Sequence, residues 1–314
     1  MPHVSVIIPT YNRSQFLAGA LTSVLGQSYK DLEILVIDDG GTDDAAAVVA
    51  GFHGAPIRYL RHDHRRGSAA SRNTGIFQAT GEYIAFLDDD HEWYPEKLMR
   101  QMQCMLASPA EVGGVYTGCF IIERSTGKIR DQVVPGARGD VHQALLAGNC
   151  IGSASSMLMR RSCINEAGCF DEGLPSFYDY DLWLRAGRKY QFECIREPQL
   201  KYYVDGNEIG TNSEAFARGL ELMFKKYGES PAFRRKCSAY YLRLGVQLCE
   251  TRQFNAGRKA LVRAARLQPL VAEPYLYLLL AVLGGDSVRL ARQTKARLLP
   301  RVKSRVIRMF AENV

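Results

Sequence analysis

Two runs of carboxylates stand out in the 314 residues, each directly after a short apolar stretch. Asp38-Asp39-Gly40-Gly41 follows Ile34-Leu-Val-Ile37, and Asp88-Asp89-Asp90 follows Tyr83-Ile-Ala-Phe-Leu87. Adjacent carboxylates repel one another, and a bound cation offsets that cost. Mg²⁺ and Mn²⁺ are hard ions that take one or two carboxylates and share phosphate oxygens. Asp88, Asp89 and Asp90 are therefore candidate metal ligands, although an acidic triplet alone reads as a solvated turn; a place at a strand end beside a second acidic cluster favours the metal. Asp39 can accept hydrogen bonds from a nucleobase or ribose, while Asp38 reads as an Asx turn into the next helix. Tyr11 can stack on a flat base. Arg65, Arg66 and Arg72 can meet phosphate, whose geometry a guanidinium matches.

The surrounding elements must bring these groups together. Val4-Ser-Val-Ile-Ile8 and Ile34–Ile37 read as strands buried on both faces, which favours a parallel sheet. Phe16, Leu17, Ala20, Leu21, Val24 and Leu25 recur at helical spacing. Thr42 is expected to cap the next helix, with Asp43 and Asp44 in its first turn. Ile57 to Leu60 is a third strand, Gly67 to Ala79 a helix and Tyr83 to Leu87 a fourth strand. The βαβαβαβ order implies an α/β fold with a doubly wound, mostly parallel, Rossmann-like sheet. Ligands on such sheets sit beyond the carboxyl ends of the strands, where both acidic clusters lie. No GxGxxG turn follows the first strand, which argues against a dinucleotide oxidoreductase. The absence there of a glycine run with a basic residue argues against a sugar nucleotidyltransferase.

From about residue 111 the pattern changes. Val115–Ile122 and Ile129–Val134 flank Ser125-Thr126-Gly127 and predict a hairpin. Helices are expected near 138–147 and 176–189, with a strand near 154–160 between them and an extended stretch reaching Val204. Beyond Asn212 the chain is nearly all helix-forming. The reading divides it into a catalytic domain, 1–212, and a basic α-helical extension, 213–314. Leu244, Gly245, Ala264 and Pro269 place one tetratricopeptide-like hairpin at 238–271, with Gly257 where that repeat usually has Ala.

Charge follows the same division. Residues 1–214 hold 20 Lys/Arg and 27 Asp/Glu, whereas residues 215–314 hold 20 and 6. Leu298, Leu299, Val302, Val306, Met309 and Phe310 form an apolar stripe flanked by Arg301, Arg305 and Arg308. Such a helix can lie on an anionic membrane or pack on its own domain. No recognised nucleic-acid motif is present, and none is expected as a partner. Eight scattered cysteines without a CxxC pair read as reduced thiols, and no signal peptide opens the chain, so a cytoplasmic protein is expected, with peripheral membrane contact as an option.

Five segments, in order, resemble the motifs of family-2 glycosyltransferases with the GT-A fold. They are Val4-Ser-Val-Ile-Ile-Pro-Thr-Tyr-Asn-Arg13, Ile37-Asp-Asp-Gly-Gly-Thr-Asp43, Ala70-Ser-Arg-Asn-Thr-Gly75 and Gly81-Glu-Tyr-Ile-Ala-Phe-Leu-Asp-Asp-Asp90, and then Phe170-Asp-Glu-Gly-Leu174 with Tyr178-Asp-Tyr-Asp-Leu-Trp-Leu-Arg185. The resemblance implies transfer of one sugar from a nucleotide-diphosphate donor, UDP-linked by preference, to a glycan or glycolipid hydroxyl. It implies that Pro9, Tyr11 and Asp39 hold the nucleoside, and that Arg72 and Asp89 help bind the diphosphate. Asp88 and Asp90 would bind Mn²⁺ or Mg²⁺, with Asp90 the more direct ligand, and Asp179 would be the base of an inverting, in-line displacement. Three positions depart from the family pattern. Tyr178 stands where Glu is common, His91 follows the metal motif where many members have Asp, and Asp205 lies where a His often completes the metal shell. The third ligand is left as Asp205, water or none. The Gln-x-x-Arg-Trp motif of processive members is absent, which implies one sugar per acceptor. A non-catalytic nucleotide-sugar-binding protein on the same fold is the competing reading.

Overall fold

The computed structural model describes residues 3–205 and 212–298, with side chains described as far as 294. The chain forms two compact units. The first comprises Met1–Leu145, Asn149–Leu174 and Tyr178–Gly206, and the second Leu146–Gly148, Pro175–Phe177 and Asn207–Val314.

The first unit is built on one mixed sheet. Its opening strands are β1 (Val4–Thr10), β2 (Leu32–Asp38), β3 (Ile57–Arg61) and β4 (Tyr83–Phe86). These four lie parallel in the order β3-β2-β1-β4. Every residue of β1, β2 and β4 is buried, as expected for strands covered on both faces. Three helices connect them: α1 (Ser14–Leu25), α2 (Ala45–Ala50) and α3 (Ser68–Gln78). α1 turns Leu17, Ala20, Leu21 and Val24 inward, the face read from their spacing.

Pro9 is tolerated inside β1 for a local reason. The Ile7 carbonyl accepts from Leu87 N on the β4 side, and Pro9, two residues on, points the same way. Pairing with β4 has ended by then, so the missing N–H breaks no ladder bond.

Beyond β4 come β5 (Glu92–Trp93), α4 (Lys97–Ala107), β6 (Val112–Glu123), β7 (Ile129–Val133), α5 (His142–Ala147), β8 (Met157–Arg160), α6 (Arg161–Ala167), α7 (Tyr178–Ala186) and β9 (Gln191–Val204). The sheet continues β4-β8-β6-β9-β5, with β7 also on β6. The β6–β7 hairpin forms as read, and β8 runs antiparallel to β4 and β6. The expected Thr42 cap does not form. α2 begins at Ala45 without a side-chain cap, and Asp43 instead accepts the Ser14 backbone N–H at the start of α1, at 2.6 Å. Tertiary pairing outcompeted the local signal.

In the second unit Asn212 caps α8 (Ser213–Tyr227), and Ser230 caps α9 (Pro231–Glu250) with Pro231 opening the helix. α9 and α10 (Phe254–Leu267) form the expected hairpin. They cross closely at Gly245 and Gly257; a Cβ on Gly257 would meet Cys249 Sγ at 2.5 Å and the Gly245 oxygen at 2.9 Å. The hairpin shares its core with α11 (Glu273–Leu283) and α12 (Gly285–Leu298) through Val246, Cys249, Leu261, Tyr277, Ala281 and Val288. Sequence periodicity showed no such continuation, because α11 and α12 do not repeat the motif. The apolar stripe and its arginines lie, beyond Leu298, outside the described residues. All eight cysteines are unpaired. Among the described residues, no helix is long and apolar enough to cross a membrane.

Candidate active site

The carboxyl ends of β1, β2 and β4 converge, and the acidic clusters converge with them. Thr10 closes β1 and joins two of them. Its carbonyl accepts the Asp39 N–H at 2.9 Å, and its hydroxyl donates to Asp89 Oδ2 at 2.8 Å. Arg13 lies 3.5 Å from Asp89 Oδ1 and donates to Asp90 Oδ2 at 2.8 Å. The buried His91 ring reaches Asp88 through Nδ1 at 3.5 Å and Asp90 through Nε2 at 3.7 Å. Asp88 in turn pairs with the Arg72 guanidinium. An unbroken polar chain thus links Asp39, Asp89, Asp90, Asp88 and Arg72.

Asp38, expected to form an Asx turn, caps the local turn one residue further on, accepting from Gly41 N at 2.7 Å. Asp39 is buried and holds the segment after β3: Oδ1 accepts from Arg66 N at 2.8 Å and Oδ2 from Gly67 N at 2.7 Å, with His62 Nδ1 at 2.9 Å from Oδ1. Burial raises its pKa, but these bonds outweigh burial and leave it below the usual carboxylate range. Gly67 has φ +97°, which only glycine adopts without strain, and this turn aims both amides at Asp39 before α3 begins. Tyr11 is more than a third exposed and stacks with the Arg65 guanidinium at 4.6 Å. Arg66 lies 3.5 Å from Glu172.

Arg72, expected near the diphosphate, is almost fully buried. Its guanidinium lies 5.2 Å from the Tyr178 ring and 5.8 Å from the Phe170 ring, and its Nε has no hydrogen-bond partner. Next to it on α3, Asn73 grips Phe170 twice, accepting from its N–H and donating to its carbonyl, both at 2.9 Å. This clamp sets the Phe170–Leu174 segment ahead of α7, which carries Asp179 and Asp181 in its first turn.

The two acids on α7 differ. Asp181 is fully buried and accepts from Arg185 Nε at 2.8 Å; Arg185 also binds the carbonyls of Ala167, Gly168 and Cys169. Among the described residues Asp179 has no such ion pair; its Oδ1 accepts from Tyr180 N at 2.7 Å. Burial pushes its carboxyl up to about 6; the Tyr180 N–H and Arg72 pull it down and Asp88 pushes it up. A carboxyl near 6 is ionised at neutral pH yet basic enough to take a proton. Asp89 is held at about 7, by burial first and by Asp90 second.

The backbone at Asp88 is held from below. Asp88 N donates to Ser155 Oγ at 3.0 Å, and Trp93 Nε1 donates to the Ser155 carbonyl at 2.8 Å. Asp205, one of the options left for a third ligand, sits against Arg124. Its Oδ1 lies 3.2 Å from Arg124 Nε, and Arg124 Nη2 donates to the Asp90 carbonyl at 2.9 Å. Among the described residues no three His, Cys, Asp or Glu side chains form a ready cage. The donor chemistry still fits a hard ion, since Asp90 and Asp88 offer carboxylate oxygens and phosphate or water would complete the shell. A cation, the Arg13 guanidinium, already stands at Asp90.

The resemblance named Asp39, Arg72, Asp88, Asp89, Asp90 and Asp179, and the structure gathers them at one end of the sheet. Thr10, Arg13, His62, Asn73, His91, Arg124, Ser153 and Ser155 complete the surroundings, with Ser153 Oγ 3.3 Å from Asp88. Arg13 and Asn73 stood inside quoted motifs and could have been singled out. Arg124 and the serines lie in segments with no chemical signature.

A model of "Glycosyl transferase family 2" matches residues 5–166. The chain belongs to that family. It is 32% identical over 248 residues to the Escherichia coli UDP-Glc:alpha-D-GlcNAc-diphosphoundecaprenol beta-1,3-glucosyltransferase, covering 78% of this chain and 94% of that protein. An uncharacterised glycosyltransferase of Rickettsia conorii is 33% identical over 190 residues, which are 59% of this chain; the chain spans only 31% of that relative's length. The fold is that of the GT-A family members: Staphylococcus aureus TarS 1-349, solved with UDP-GlcNAc, matches with a TM-score of 0.61 at 15% identity over 94% of this chain and 91% of that one.

Proposed function

We propose that this family-2 glycosyltransferase moves one sugar from a UDP-linked donor to an acceptor hydroxyl with inversion, aided by Mn²⁺ or Mg²⁺, in surface polysaccharide or glycolipid assembly. The polar chain from Asp39 to Arg72, with Asp179 electrostatically coupled to its end, carries the reading. Tyr11 and Asp39 border the nucleoside end. Asp88 and Asp90 would hold the divalent ion, which would carry charge on the leaving diphosphate. Asp179 takes the acceptor proton, its basicity raised chiefly by burial, with the Tyr180 N–H, Arg72 and Asp88 as smaller influences. One base suffices for a direct displacement, since no covalent intermediate forms. General-base help of this kind contributes roughly 10²–10⁴-fold. A lipid-linked acceptor is favoured by the E. coli relative, which is named for a diphosphoundecaprenol acceptor.

The helical unit supports peripheral contact with an anionic membrane. Leu276, Leu279, Val282 and Leu283 of α11 are exposed in a region where cations far outnumber anions. Pelleting with anionic and with neutral vesicles tests this; equal recovery from both would remove the membrane from the account.

Hydrolysis of a panel of nucleotide sugars with Mn²⁺ tests the catalytic reading. Turnover of a UDP-sugar by the wild type and its loss in Asp179→Asn, with UDP binding retained, is the expected result. Binding without turnover of any donor would favour the non-catalytic alternative.

A further inference from the structure

Asp90 is attended by two guanidiniums. Arg13 Nη1 lies 2.8 Å from its Oδ2 and Arg124 Nη2 lies 3.8 Å from the same oxygen. Arg13 is half exposed on the loop after β1. Arg124 follows β6 and is fixed. Its guanidinium lies 4.2 Å from the Phe16 ring and 4.9 Å from the Tyr203 ring, and it bridges the Asp90 carbonyl to Asp205. A cation gains from lying against the faces of aromatic rings.

We propose that Arg13 and Arg124 are resident counter-ions of Asp90 that oppose entry of a divalent ion until an anionic diphosphate arrives to draw them away. The inference rests on the metal-assisted reading above. A dication approaching Asp90 meets two positive charges within a few ångströms, in a site partly shielded from water where such repulsion is not fully screened. A diphosphate gives both guanidiniums a new partner, which they bind well. Metal and donor then load together, and by linkage each raises the affinity for the other by the same factor. Arg124 is a positioning residue in this scheme. It holds Asp90 and Asp205 in place and sets when Asp90 becomes free.

The full chain titrated with Mn²⁺ alone, and again with UDP present, tests this, with free Mn²⁺ read by electron paramagnetic resonance. Arg124→Met keeps an apolar stem beside the rings and removes the charge; Arg13→Met removes the charge at a half-exposed position. Both should bind Mn²⁺ alone about tenfold more tightly than the wild type. Arg124→Lys should stay near the wild type. UDP should raise Mn²⁺ affinity more in the wild type than in either Met variant. If neither Met variant gains affinity for Mn²⁺ alone while the wild type binds it with UDP, the counter-ion role is overturned and the metal reading stands. If the wild type takes up no Mn²⁺ even with UDP, both are overturned.

Discussion

Asp179 and Asp181 lie two residues apart on one helix, yet substitution should have opposite consequences. Asp181→Ala leaves Arg185 without its carboxylate in a largely buried pair and should cost roughly 3 kcal/mol, seen as a melting transition several degrees lower. Asp179→Asn should leave the melting temperature unchanged or raised at pH 8. The reason is the sign of its shift. Its folded pKa, about 6, lies above the ordinary carboxylate value, so the native state holds the proton more tightly. Burial of its charge therefore costs stability above that pH, and the cost fades as pH falls. The same value sets the rate: kcat/KM should be flat above neutrality and fall tenfold per unit as pH drops well below 6. A profile still flat at pH 5 would move the base elsewhere.

Elements explain why some of this was legible and some was not. Strands β2 and β4 carry apolar runs that lead into carboxylates, and β1 beside them is nearly all apolar, so their ends could be read as a site. The hairpin of β6 and β7 was equally plain. Helix α6 went unread because Arg161–Ala167 is short and lacks an apolar period. The Thr42 cap was misread because Asn12 and Ser14, distant in sequence, take the partners: Thr42 N donates to Asn12 Oδ1 at 2.7 Å. Asn73 shows how one side chain fastens two elements. Asn73→Ala removes both bonds to Phe170 and should destabilise by roughly 2 kcal/mol. Because that segment sets α7, the loss should lower kcat more than it raises KM, as steady-state kinetics would show.

At the scale of the whole molecule, the opposite charges of the two regions were visible as composition, and each region proved to be organised around its own core. What composition could not give was the neighbourhood of Asp90. Arg13 and Arg124 are far apart in sequence, one after β1 and one after β6, and only the folded sheet brings them to one oxygen. The helical unit likewise conceals its extent. Its close crossing at Gly257 was marked by a small residue, and Gly257→Val should cost about 2 kcal/mol by overpacking against Cys249, measured by chemical denaturation. The packing of α11 and α12 on that hairpin had no periodic signature.

Calorimetric titration of UDP into the wild type and Asp90→Ala, each with and without Mn²⁺, goes most directly to whether the gathered carboxylates serve one metal-nucleotide site. Mn²⁺ should strengthen UDP binding at least tenfold in the wild type and hardly at all in Asp90→Ala. Identical Mn²⁺ dependence in the two proteins, or no UDP binding by either, would contradict the account.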